Sequence, residues 1–357
     1  MASRILLPLL LFLLCSHCGS GAPGAMRRLQ ARARARPGMR AGDANSQVKF
    51  DFSPFLIEYK SGLVKRFMGT DVVAASADAL TGVNSRDVVM DPATGLSARL
   101  YLPSFRASAR VPVLVYFHGG AFVVESAFTP IYHSYLNTLA ARAGVVAVSV
   151  NYRLAPEHPL PAAYNDSWAA LKWVLANAAP GSDPWLSQYG DLSRLFLAGD
   201  SAGGNIAHNL ALRAGEEGLD GGARIKGVAL LDPYFQGRSP VWADSMDPAY
   251  LQSAARTWSF ICAGQYPIDH PYANPLALPT SSWQRLGCSR VLVTVSELDR
   301  LSPWQRAYYA TLRGSGWPGH AELYETPGEG HVYFLTKLST PQAQAEMATV
   351  VAFINRN

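Results

Sequence analysis

The sequence predicts an α/β fold, a mostly parallel central sheet with helices on both faces and a helical lid over one sheet edge. Three observations predict it. From residue 111 onward, short continuous runs of Val, Leu and Ile alternate with segments of helix length, the pattern of a sheet buried on both sides. A glycine-flanked serine, Gly199-Asp200-Ser201-Ala202-Gly203, stands between one such run and one such segment. Finally, an aromatic stretch over 237–283 breaks the alternation between two strands, where an open sheet would carry a cover for a pocket.

The elements follow in chain order. Residues 87–102 alternate as a hairpin around the turn Asp91-Pro92-Ala93-Thr94-Gly95. Residues 111–117 form a buried strand and 131–142 a helix. A second strand covers 145–150, and a helix over 162–178 places Trp168, Leu171 and Val174 on one face. Leu195-Phe196-Leu197 is a third strand, followed by a helix over 202–214. Strands at 225–231 and 291–295, a helix at 303–312 and a last strand at 322–324 complete the sheet. The lid stretch holds Trp242, Trp258, Trp283, Tyr250, Phe260 and Tyr272. Phe50, Phe52, Phe55 and Tyr59 make residues 48–62 equally aromatic, so the lid parts are placed near 46–62 and 237–285. The catalytic domain then spans 46–357.

Residues 1–45 differ in texture. Arg4 precedes an apolar run over 5–14 and then small residues, which reads as the core of a secretory signal and is too short to cross a bilayer. The acid-poor stretch from Arg27 to Arg40 has instead the composition of a plastid or mitochondrial transit peptide. Secretory entry is the first expectation, organelle import the alternative, and a wrongly extended start with a cytosolic protein the third. Removing the leader's seven arginines and Asp43 from the totals of 31 basic and 26 acidic residues leaves 24 and 25. The formal charge of +5 therefore belongs to the leader, and the body carries no basic surplus for nucleic acid. Cys262 and Cys288 remain after the leader, and two free thiols are the expected state. No Cys/His spacing suggests a metal, no cofactor motif is found, and no later segment is apolar enough to span a membrane.

A serine on a strand-to-helix turn is a nucleophile only if an imidazole and an orienting acid reach it. In a sheet of this kind these follow the serine in the order acid, histidine. Asp299 ends the 291–295 strand in the loop Ser296-Glu297-Leu298-Asp299, and His331 follows the last strand in Pro327-Gly328-Glu329-Gly330-His331. Both lie at C-terminal strand ends, where an open α/β sheet gathers its site. Asp232 and Glu297 are rival acids, whereas His133 and His208 fit helices and His320 sits at the opposite sheet end. After the first buried strand, His118-Gly119-Gly120-Ala121 can turn backbone amides inward. Gly119 and Gly120, with Ala202, are the expected oxyanion donors, and His118 is read as a loop organiser. Arg153 and Asp166 are expected to pair in support of the loop 151–161, and Asp200 to point away from the chemistry.

These pieces carry a resemblance. Phe117-His118-Gly119-Gly120-Ala121-Phe122, Asn151-Tyr152-Arg153-Leu154-Ala155-Pro156-Glu157, residues 199–204, Glu297-x-Asp299 and Gly330-His331 resemble the plant carboxylesterases of the hormone-sensitive-lipase-like group of α/β hydrolases. The resemblance covers about 47–355 and implies the α/β-hydrolase fold. It also implies a Ser201-His331-Asp299 triad, an oxyanion hole of Gly119, Gly120 and Ala202, and a small ester as substrate; the aromatic residues of the lid stretch point to an apolar or aromatic one, with oligomeric state left open. The sequence departs from the group at Ala121, where a third glycine is commoner, and at Arg300-Leu301-Ser302-Pro303-Trp304. Other members of the group eliminate water, as in 2-hydroxyisoflavanone dehydratase, or transfer the acyl group internally to a lactone, as in tuliposide-converting enzymes that carry targeting leaders. The related gibberellin receptors lack the histidine that His331 supplies.

Overall fold

The structure is a computed structural model, and it describes residues 44–104, 110–239, 241 and 247–356. The leader assignment of residues 1–43 and the lid assignment of Trp242 fall outside the described residues. The chain opens with β1 (Val48–Phe52), β2 (Leu56–Tyr59) and β3 (Val64–Arg66), then β4 (Ala77–Asp78), β5 (Val83–Asp91), β6 (Leu96–Pro103) and β7 (Val111–Phe117). There follow α1 (Pro130–Ala143), β8 (Val146–Asn151), α2 (Ala162–Asn177), α3 (Pro184–Tyr189), β9 (Gly190–Asp200), α4 (Ala202–Glu217) and β10 (Ile225–Leu231). The last part comprises α5 (Pro248–Ile261), α6 (Thr280–Gln284), β11 (Arg290–Ser296), α7 (Ser302–Gly314), β12 (His320–Thr326), α8 (Tyr333–Thr336) and α9 (Pro341–Asn355).

The main sheet runs β12-β11-β10-β9-β7-β8-β6-β5-β4. From β8 to β12 every pairing is parallel, and β6, β5 and β4 add an antiparallel edge. The β5–β6 hairpin forms at the expected turn because Asp91 accepts from Ala93 N and Thr94 Oγ1 while Gly95 takes φ +76°. Strand residues alternate between two apolar cores. Val113, Val115, Phe117, Leu195 and Leu197 face α2 and α4, whereas Leu114, Tyr116, Phe196 and Ala198 face α1 and α9. Covering both faces forces the parallel strands to read as unbroken apolar runs, which is why they were legible.

Two features depart from the expectation. The N-terminal segment expected to join the lid forms β1–β2–β3, a small antiparallel sheet rather than helix. Phe50 and Phe52 stand two residues apart, a strand period that puts both on one face. Helix α9 was not expected at all, although Thr340-Pro341 marks its start: Thr340 Oγ1 accepts from Ala343 N. Among the described residues no helix is long and apolar enough to cross a membrane.

Candidate active site

Ser201 links β9 to α4 with φ 51° and ψ −116°, a conformation that an L-residue holds only under constraint from its surroundings. That constraint comes from close backbone packing. A Cβ on Gly203 would lie 1.9 Å from Phe117 O, and one on Gly199 would lie 2.4 Å from the Gly203 backbone. The two glycines thus let the end of β7 press against the first turn of α4. The serine backbone is pinned as well, since Ser201 N donates to Leu231 O and Tyr234 N donates to Ser201 O.

Three strand ends meet at this serine. Ser201 Oγ lies 2.8 Å from His331 Nε2, and His331 Nδ1 lies 2.7 Å from Asp299 Oδ2. Asp299 Oδ1 accepts from Leu301 N, while Gln305 Nε2 donates to the same Oδ2 that faces the imidazole. Burial disfavours the imidazolium, but the charge and hydrogen bond of Asp299, with Asp232 and Asp200 behind it, outweigh burial and raise His331 to about 9. The rival acids have other partners. Asp232 binds Ser296 and Val332 N, and Glu297 accepts from Gly328 N in the loop that leads to His331. Of the other histidines, His133 lies in α1 against Arg99 and Tyr101, His208 is buried in α4 against Tyr308, and His320 is exposed at the start of β12.

The glycine loop after β7 requires one correction. Gly119 N donates to Tyr132 Oη at 2.7 Å, and Tyr132 Oη in turn donates to Asp200. Its hydrogen is therefore committed, and Gly119 cannot serve as an oxyanion donor. The amides of Gly120, Ala121 and Ala202 donate to no protein group among the described residues. Ala121 takes φ 51° beside Gly120 at φ 95°, so the loop turns sharply here. Asp200 accepts from both Tyr116 and Tyr132, and burial raises it to about 6 against those hydrogen bonds. Asp200 is therefore held by the two tyrosines and braces the glycine loop. His118 stacks on Tyr152, and burial lowers it to about 4, which keeps it neutral and structural.

The comparisons with known proteins bear on this geometry. Residues 114–335 match the family described as the alpha/beta hydrolase fold. The chain is 46% identical over 313 residues, 87% of this chain and 79% of the other, to the chloroplastic tuliposide A-converting enzyme 1 of Tulipa gesneriana. It is 42% identical to probable carboxylesterase 2 of Arabidopsis thaliana and 40% identical to 2-hydroxyisoflavanone dehydratase of Glycyrrhiza echinata. In both cases the alignment covers 87% of this chain and 97% of the relative. The chain belongs to the α/β-hydrolase family. Its kin within that family are the plant carboxylesterases and their relatives. Among solved structures it resembles the esterase of Pyrobaculum calidifontis, at 28% identity and a TM-score of 0.60 over 76% of this chain and 84% of that one.

In this hydrolase aromatic rings from three segments pack together. Phe122 of the glycine loop, Tyr234 after β10 and Trp258 of α5 pack with ring centroids 6.2–6.4 Å apart. Phe50 of β1 stacks on Phe260 of α5 at 4.0 Å and 5°. Arg66 of β3 donates to Val123 O and Ala155 O and pairs with Glu157, tying the small sheet to the glycine loop. Arg153 and Asp166 do form a two-pronged pair, at 2.7 and 2.9 Å, that holds the 151–161 loop. Gln305 and Tyr132 were missed in the sequence. A weak signal existed for Gln305, an amide on the same helical stripe as Leu301, Tyr308 and Leu312. Nothing local marked Tyr132, because its partners lie 13 and 68 residues away.

Proposed function

We propose that this protein is a serine carboxylesterase acting on small, apolar or aromatic carboxylic esters. The observation that carries the reading is the line Ser201 Oγ–His331–Asp299, at 2.8 and 2.7 Å, beside three uncommitted amides. Ser201 attacks the ester carbonyl while His331 Nε2 takes its proton. Asp299 holds the ring through Nδ1 and stabilises the imidazolium. The oxyanion is held by Gly120, Ala121 and Ala202 at the N-terminus of α4, where the helix dipole adds to the amides. The imidazolium then protonates the departing alkoxide, and water attacks the acyl-enzyme with His331 as base. Phe122, Tyr234 and Trp258 favour an apolar or flat acyl or alcohol group and keep stray water from the intermediate.

The test is turnover of a short-chain p-nitrophenyl ester by Ser201→Ala. A fall in kcat of about 10⁴-fold or more is expected, and wild-type turnover would sink the assignment. The similarity to the tulip enzyme favours one second reading, in which a hydroxyl of the substrate itself replaces water and releases a lactone. Identification of products decides between free acid, lactone and an eliminated ring. We also propose a plastid location. The tulip relatives carry chloroplastic or amyloplastic in their names, which favours the organelle alternative over the secretory route expected first.

A further inference from the structure

We propose that Asp232 is a second carboxylate serving His331, clipping the loop that bears the imidazole to the sheet and adding its charge to that of Asp299. This rests on the reading of Ser201, His331 and Asp299 as the reacting group. Asp232 follows β10, the neighbour of the strand whose end leads to Asp299, and it is completely buried with φ 42°. Its Oδ1 accepts from Ser296 N at 2.8 Å, and its Oδ2 accepts from Ser296 Oγ at 2.7 Å and Val332 N at 2.8 Å. One carboxylate therefore joins three segments: its own strand end, the residue that starts the Asp299 loop, and the residue that follows His331.

Charge makes this more than a brace. A carboxylate oxygen from each of Asp232 and Asp299 and a ring nitrogen of His331 all lie within 4.8 Å of one another. At that separation in a buried setting, a second acid acts strongly on the ring. The groups that act on His331 are Asp299 from the β11–α7 loop, Asp232 from the end of β10 and Asp200 from the β9–α4 turn. Those that act on Asp232 are Asp299, His331, Ser296 and Glu346 of α9. Burial and the two neighbouring acids raise the Asp232 carboxyl to about 8, against the downward pull of His331 and Ser296. Asp232 is thus stabilised as an anion most when His331 becomes imidazolium, the state formed at each tetrahedral intermediate.

The experiment is the pH profile of kcat/KM for Asp232→Asn, with Ser201→Ala measured beside it. Removing a negative charge lowers the imidazole pKa, so the acid limb is expected to move down by about 1 unit. Loss of the clip is expected to lower kcat about tenfold, with KM little changed. An unmoved limb overturns the proposal, even if kcat falls, because a purely structural brace would do no more than that. If Asp232→Asn does not fold, Ser296→Ala removes one donor and leaves the carboxylate in place. It should weaken the anion and shift the limb the same way by a smaller step, and no shift would again overturn the proposal. An active Ser201→Ala would sink the reading of the whole site, whereas an inactive one with an unmoved Asp232→Asn limb would sink the role of Asp232 alone.

Discussion

Asp299 presents one oxygen to two donors, His331 Nδ1 at 2.7 Å and Gln305 Nε2 at 2.8 Å, with Gln305 fully buried. The amide keeps the carboxylate from rotating away when the ring is neutral and attracts it less. A hydrogen bond to a charged group contributes about 1.5–3 kcal/mol. Gln305→Ala is therefore expected to lower kcat by about tenfold or more at nearly constant KM, checked by steady-state kinetics. A second prediction concerns pH. His331 must be neutral to accept the Ser201 proton, and its pKa is raised from the ordinary 6.5. Activity should then fall as pH drops through the raised value, with the half-maximal point of kcat/KM above 6.5. A limb at or below 6.5 would show that the carboxylates around the ring do not act as described. At this scale Ser201, Asp299 and His331 were legible because their spacing from strand ends is a local pattern. Gly119 was misassigned because the group that occupies its amide, Tyr132, sits on α1.

At the scale of elements, two aromatic segments distant in sequence pack together. The two pieces expected to form the cap, β1–β3 and α5, lie far apart in the chain and are joined by the Phe50–Phe260 stack with Arg256 over the Phe50 ring. Such an aromatic pair contributes about 0.5–1.5 kcal/mol beyond its buried area. Phe50→Ala should loosen the small sheet from α5 and raise KM for an aromatic ester several-fold, with a smaller change for an acetyl ester. Equal KM values for both esters in this variant would argue against these strands as part of the cap. Aromatic content pointed to both pieces, but composition alone did not separate strand from helix in residues 48–66. The discriminating feature was periodicity over a segment of only five residues, Val48–Phe52, too short to stand out.

For the whole molecule, the charge distribution separates leader from body. The leader carries seven arginines and one acid, and the rest of the chain is nearly balanced. If residues 1–45 direct the protein to a plastid, the full chain with a C-terminal fluorescent tag should collect in plastids of leaf cells and be shortened at its N-terminus. Retention in the secretory pathway would reinstate the other expectation. The prediction belongs to this scale because it concerns the chain as a whole. The described residues from Ala44 on contain every group named in the mechanism.

Ser201 at its glycine turn, the parallel sheet and the order serine, acid, histidine were determined by the sequence itself. Each is written in neighbouring residues: apolar runs that a sheet covered on both faces requires, and glycines that a tight strand-to-helix turn requires. The tertiary structure decided which amides remain free for an oxyanion, and which acid touches the imidazole and which only steadies it. Those outcomes depend on hydrogen bonds such as Gly119 to Tyr132, Gln305 to Asp299 and Val332 to Asp232. A buried donor or acceptor takes whichever partner the packed fold brings within about 3 Å, and that partner need not be near in sequence.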